Sequence, residues 1–177
     1  MLIFNVNVRG EVVGSFTKWI DFQTGFIGSA LHPNLRIGRF DATEPGFFNN
    51  YLYLEIIKEK KYYEFGENTR CLIKFADGTI IELNSEGEPT YEIEYLNTKP
   101  LYASFRKFEL TENDLHLLLN QPITKVRIEL FNGERLDYEV NESHGKKVLK
   151  NLQKEWEKVL KEQDRKINNT NNLRDGF

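Results

Sequence analysis

Two dipeptides constrain this chain more than any bulk property. Asp77-Gly78 and Asn132-Gly133 each stand between runs rich in β-branched and aromatic residues. Asp or Asn followed by Gly tolerates the positive φ angles of a tight hairpin turn, so both points predict antiparallel strand pairs. Around the first, the strands are Arg70–Ala76 and Thr79–Leu83. A two-residue turn there sets Phe75 against Ile80 and Leu72 against Leu83. Around the second, a two-residue turn mixes the faces of Ile123–Phe131 and Arg135–Val140. Matching Val126, Ile128 and Leu130 to Val140, Tyr138 and Leu136 sorts the faces. It requires one more loop residue or a bulge, and it is preferred because a one-residue slip turns a buried face outward. That register puts Arg127 opposite Glu139 and Glu129 opposite Asp137.

Alternating residues mark further strands. Leu2–Val8 and Glu11–Ile20 read as a hairpin across Arg9-Gly10. Tyr51–Lys58 has Leu52, Leu54 and Ile56 on one face, and Lys58–Lys61 is a charged corner. Tyr91–Leu96 has Tyr91, Ile93 and Tyr95 on one face, Glu92 and Glu94 on the other. Leu101–Phe108 follows a turn ending in Pro100. Asn84–Thr90, with Gly87 and Pro89, reads as a polar loop. Asp21–Asn50 carries glycines and prolines too closely spaced for a helix; it reads as an irregular meander holding a short strand, Leu35–Phe40.

Two helices complete the pattern. Thr111-x-x-Asp114 is a capping-box variant opening a helix with Leu115, Leu118 and Leu119 on its apolar face; Pro122 stops it. From about Ser143 to Gln163, Val148, Leu149, Leu152, Trp156, Val159 and Leu160 form a stripe at helical spacing. The expected fold class is α+β, mainly β. It has about eight to ten antiparallel strands in two layers or a half-open barrel, covered by the C-terminal amphipathic helix. One domain is expected over 1–166, with a flexible polar tail at 167–177.

Composition narrows the function classes. The formal net charge of −3 lacks the basic footprint of a nucleic-acid binder. Cys71, the single cysteine, forms no intrachain disulfide and supports no multi-thiolate zinc site; alternating with Ile73 and Phe75, it reads as a small buried filler. No apolar run reaches membrane-spanning length, and Met1–Arg9 alternates like a strand rather than a leader, so the expectation is a cytoplasmic protein with no membrane partner. The three histidines fall at no metal-ligand spacing, and no nucleophile elbow, P-loop or dinucleotide fingerprint occurs. No catalytic residue, metal or cofactor is assigned.

Two residue groups stand out as candidate sites. His32, Arg36, Arg39 and Asp41, with Glu44 beside them, cluster in the irregular segment. Converging in space, they would offer a base, an anion clamp and an orienting carboxylate to a ligand. Lys147, Lys150, Lys154, Lys158 and Lys161 line one side of the last helix, either as a docking face for an acidic partner or as its solvated side. The abundant tyrosines and phenylalanines fit a ligand cavity between sheets or ordinary core packing.

The stretch Phe108-Glu-Leu-Thr-Glu-Asn-Asp-Leu, then Pro122-Ile-Thr-Lys-Val-Arg-Ile and the lysine-rich helix, resembles uncharacterised bacterial proteins of unknown function. The resemblance spans about the last third of the chain and implies no activity. A strand series ending in a helix is also similar to the PH-like plan, from which the helix at Thr111 and the early meander depart. The leading functional expectation is a non-catalytic binding or interaction module, with a protein partner or a homodimer. The second is a small-molecule binder or hydrolytic enzyme, with its site between the sheet interior and the 21–50 segment.

Overall fold

The computed structural model describes residues 14–27, 33–42, 47–96 and 98–174, with side chains through 165. The strand expected at Leu2–Val8 and the residues His32 and Glu44 lie outside the described residues. Among the described residues, nine strands and two helices follow one another: β1 (Gly14–Phe16), β2 (Ile20–Asp21), β3 (Asn34–Asp41), β4 (Phe48–Lys58), β5 (Arg70–Phe75), β6 (Ile80–Leu96), β7 (Lys99–Leu110), α1 (Glu112–Asn120), β8 (Ile123–Glu129), β9 (Arg135–Glu139) and α2 (Glu142–Arg174). The strands pair antiparallel in the order β1-β3-β4-β7-β6-β5-β8-β9, with β2 also on β3, and the sheet does not close. This is the mainly β, α+β architecture that the alternation predicts.

Strand β6 joins the two halves. Its Ile80–Asn84 portion pairs with β5, and its Ser85–Leu96 portion pairs with β7. The polar stretch expected to loop out at Asn84–Thr90 instead stays in the sheet as a bulge. The register shifts between Glu86 and Thr90, and Gly87 takes φ +67°. Arg106, on β7 and 2% exposed, staples the bulge. Its guanidinium donates to the Gly87 carbonyl, to Ser85 Oγ at 2.8 Å and to the Glu67 carbonyl at 3.5 Å. A bulge frees backbone groups from the ladder, and this arginine satisfies one of them.

Both hairpins use one turn design. Ala76-Asp77-Gly78 and Phe131-Asn132-Gly133 are three-residue loops with the glycine at φ +91° and +82°. In the first, Gly78 N–H donates to Phe75 O at 3.1 Å and Thr79 N–H to Asp77 Oδ1 at 2.9 Å. In the second, Gly133 N–H donates to Leu130 O at 3.0 Å and Glu134 N–H to Asn132 Oδ1 at 2.9 Å. The third loop residue corrects both expected registers. Cys71 faces Leu83 and Ile73 faces Ile81, so the buried residues of β5 meet those of β6. Val126 faces Tyr138 and Ile128 faces Leu136. The faces sort as the apolar pattern requires, but Arg127 now meets Asp137 and Glu129 meets Arg135, at 2.7 and 3.2 Å. Opposite charges across a pair favour this register over the one that opposes Glu129 to Asp137.

Two boundaries also move. Glu11–Ile20 is not one continuous strand. From Phe16 to Ile20 the chain takes four steps while its partner takes three, from Gly38 to Leu35, so β1 and β2 are split by a bulge along β3. Pro100 lies inside β7 opposite Tyr95, because the turn before it is tight and Thr98 adopts φ +71°.

The core forms where α2 crosses the sheet. Val148, Leu152, Trp156 and Val159 are buried on its inner side, with Leu149 and Leu160 half-buried, against Leu35, Ile37, Leu52, Leu54, Val126 and their neighbours. Each such side chain contributes roughly 1.5–3 kcal/mol of burial. Asn141 caps the helix, its Oδ1 accepting from His144 N–H at 2.9 Å. Helical backbone continues to Arg174, past the expected end at Gln163 and through most of the expected tail. Helix α1 opens with the predicted capping box, as Asp114 N–H donates to Thr111 Oγ1 and Thr111 N–H to Asp114 Oδ2. Cys71 is buried, and burial pushes its thiol well above the ordinary range.

Candidate functional site

Alternation along β3 decides where the candidate arginines go. Its pairing with β4 places Arg36 opposite Tyr53 and Arg39 opposite Asn50, on different faces of the sheet. The ligand clamp expected from His32, Arg36, Arg39 and Asp41 therefore does not assemble as one group. Arg39 and Asp41 share the face beneath α2, Arg36 stands on the other face, and His32 is outside the described residues.

On the Arg36 face, the guanidinium lies 4.4 Å from the ring centre of Phe16, 4.3 Å from Trp19 and 5.3 Å from Tyr53. Phe16 also packs edge-on against Phe40 and Tyr53. Such rings stabilise a cation through their negative faces and leave little of it open. Beside it, Asn34 Nδ2 donates to Glu55 Oε2 at 2.7 Å. Burial pushes the Glu55 carboxyl up to about 7, against the opposing pull of the Asn34 hydrogen bond and with Glu94 adding repulsion. Tyr53 is raised to about 12, chiefly by burial, with Arg36 working the other way. A carboxyl near neutrality suits proton exchange. No nucleophile accompanies it among these neighbours, and the rings already occupy the cation.

The Arg39 face is different. Its guanidinium stacks 3.8 Å from the ring centre of Phe48 and 5.7 Å from Trp156. Burial lowers its affinity for the proton, while Asp164 and Asp41 act on it the other way. No described carboxylate forms an ion pair with it, and its buried Nε, like that of Arg36, has no hydrogen-bond partner. Directly across the pairing, Asn50 is 8% exposed and its Oδ1 is likewise buried and unpartnered. A donor and an acceptor, both without hydrogen-bond partners, thus belong to residues paired across the two strands. Such atoms are uncommon in native interiors, because each costs about 1–3 kcal/mol of lost solvation.

Both residues line a groove of about 520 Å³ between the β3–β4 edge and α1. Phe47 and Phe48 form one wall. The other comes from α1, where Leu115 and Leu119 bring apolar surface and Glu112, His116 and Asn120 repeat every fourth position along one stripe. Gln153 on α2 fixes the helix from behind, donating to Leu119 O at 2.9 Å. An ordered arginine, an acceptor beside it and apolar walls together can hold an anion with an attached donor and an apolar body.

The lysine side of α2 divides. Lys147 lies half-buried with Nζ 3.3 Å from the centre of the Phe26 ring, and Lys158 reaches Glu155 Oε1 at 2.5 Å. Lys150, Lys154 and Lys161 are exposed. Tyr53 packs on Arg36, and Tyr62 packs edge-on against Tyr91 and Tyr102. Asn50, Phe47, Phe48, Glu112 and Asn120 are groove residues that the sequence did not single out. One signal marked Asn50: it is a polar residue in register with the apolar face of Leu52, Leu54 and Ile56.

Among the described residues, no group of three or more His, Cys, Asp or Glu is placed to hold a metal. No described helix is long and apolar enough to cross a membrane. Compared with known proteins, the chain matches no family model, no curated protein and no solved structure.

Proposed function

We propose that this chain is a binding module that captures a small organic acid in the groove floored by Arg39 and Asn50. The observation that carries this reading is that Arg39 and Asn50, paired across β3 and β4 and lining one groove, leave Nε and Oδ1 without hydrogen-bond partners. The complement to such a pair is a carboxylate with an N–H or O–H donor next to it, the carboxylate on the guanidinium and the donor on the amide oxygen. An acylated aromatic amino acid has that pattern, with its ring free to pack on Phe47, Phe48, Leu115 and Leu119. A volume of about 520 Å³ lies in the range of small-molecule sites. The groove residues bind and orient; none is paired as nucleophile and base, so the proposed activity is capture rather than turnover.

The test is a titration with N-acetylphenylalanine and its carboxamide, followed by the fluorescence of Trp156 in a Trp19→Phe background. The acid is expected to bind and the amide at least tenfold more weakly, since a hydrogen bond to a charged group contributes about 1.5–3 kcal/mol. Arg39→Met is expected to remove the difference, and Asn50→Leu to weaken acid and amide alike, because both carry the N–H that would donate to Asn50. Equal responses to acid and amide, or none to either, contradict the proposal.

A further inference from the structure

The outer edge of β6 points to a second docking site, independent of the groove. One edge of Ser85–Leu96 pairs with β7. Along the other, β5 covers Ile80–Asn84, and the segment before β5 extends that cover, with Ser85 N–H donating to Thr69 O at 3.0 Å and the Tyr91 hydroxyl to Phe65 O at 3.0 Å. Beyond Tyr91, no described strand pairs with this edge. An edge strand offers backbone donors and acceptors to any chain that can lie along it.

The side chains there are sorted by chemistry. Tyr91, Ile93 and Tyr95 are 40%, 49% and 72% exposed and lie on one face, continuous through Tyr91 with Tyr62 and Tyr102. Glu92 and Glu94 lie on the opposite face and form no ion pair among the described residues. Each repels the other, which helps burial hold Glu94 above its ordinary range.

We propose that the Tyr91–Leu96 edge of β6 takes up an extended segment of another protein in which apolar residues alternate with lysine or arginine. A strand added to an edge keeps the faces of the sheet, so its apolar residues would meet Tyr91, Ile93 and Tyr95 and its basic residues would meet Glu92 and Glu94. Charge selects against a second copy of this chain. Antiparallel self-pairing centred on Ile93 opposes Glu92 to Glu94 twice, and pairing centred on Glu94 opposes that residue to itself. Like charges directly opposite destabilise a pair.

The test uses two synthetic peptides, one alternating lysine with valine and one alternating glutamate with valine, titrated into the isotopically labelled full chain. The lysine peptide is expected to bind and to shift the amides of 91–96 while those of Arg39 and Asn50 stay in place. The double variant Glu92→Lys/Glu94→Lys, which leaves the apolar face intact, is expected to reverse the preference and bind the glutamate peptide at least tenfold more tightly than the lysine peptide. Thermal melts establish that the variant is folded; Glu92→Gln/Glu94→Gln, expected to lose the charge preference, serves if it is not. Binding that ignores peptide charge, no binding of either peptide, or shifts elsewhere on the sheet overturns the proposal. So does a dimer in sedimentation equilibrium that Ile93→Lys dissolves, since the edge would then be filled by a second copy.

Discussion

Asn34 and Glu55 face each other across β3 and β4, and the asparagine amide donates to the carboxyl at 2.7 Å. The hydrogen bond favours the ionised carboxylate, yet burial outweighs it and holds the group near 7. The sign of the pH effect follows. The folded chain binds this proton more tightly than the unfolded chain, so stability falls as pH rises from the ordinary glutamate range through 7. The full difference is about 3 kcal/mol, obtained from the raised value at 1.36 kcal/mol per unit. Urea unfolding at pH 5 and pH 8 should show that fall, and Glu55→Gln should flatten it and raise stability at pH 8. A Glu55→Gln variant with the wild-type pH slope contradicts the assignment.

Helix α2 comes so close to β8 at Gly145 that a methyl group there would stand 2.3 Å from the Ile123 carbonyl oxygen. Alanine in a helix is intrinsically better than glycine by about 1 kcal/mol. Backbone cannot yield as a side chain can, and forcing it apart costs typically about 1–3 kcal/mol. Gly145→Ala should therefore destabilise the fold by about 1 kcal/mol or more, read as a lowered urea midpoint. A stabilised variant would show that the helix does not dock at this distance.

Arg106 holds the β6 bulge through Gly87, Ser85 and Glu67. Arg106→Met keeps an apolar stem but removes a charged donor from part-buried acceptors, where each such hydrogen bond contributes about 1.5–3 kcal/mol at most. Arg106→Lys cannot span the fork and should recover little of the loss. Both variants should show faster hydrogen exchange at Ser85–Thr90 than elsewhere in β6. Uniform protection in either would mean the bulge is held by other contacts.

Much of this architecture was readable because period and turn chemistry agree. Leu52, Leu54 and Ile56 reveal β4 by alternation, Val148 to Val159 reveal α2 by its stripe, and Thr111 with Asp114 marks the start of α1. The turns were located correctly; the first was counted one residue short, and the extra residue expected in the second was set on the wrong side. Nothing in the sequence marks Ala76 or Phe131 as the third loop residue. The strand through Gly87 and Pro89 was illegible for a different reason: it depends on Arg106, distant in sequence, reaching back to it. The site was half legible. Arg39 stood out as a member of the polar cluster in the 21–50 segment, but its separation from Arg36 follows from strand parity, and its partner Asn50 lies on another strand. The exposure of Tyr91, Ile93 and Tyr95 is the reverse of what their pattern suggests, since α2 covers only part of that face.

The most direct test of the central claim watches the Arg39 Nε–H resonance by nitrogen–proton correlation as N-acetylphenylalanine is added, with Arg39→Lys to assign the signal. Capture at the orphaned pair predicts a saturable shift of that one side-chain resonance and slower exchange of its proton with water, both absent when the neutral amide replaces the acid and both needing more acid in Asn50→Leu. A resonance that does not move while the Arg36 signal does would place the acid on the opposite face and contradict the groove as the binding site.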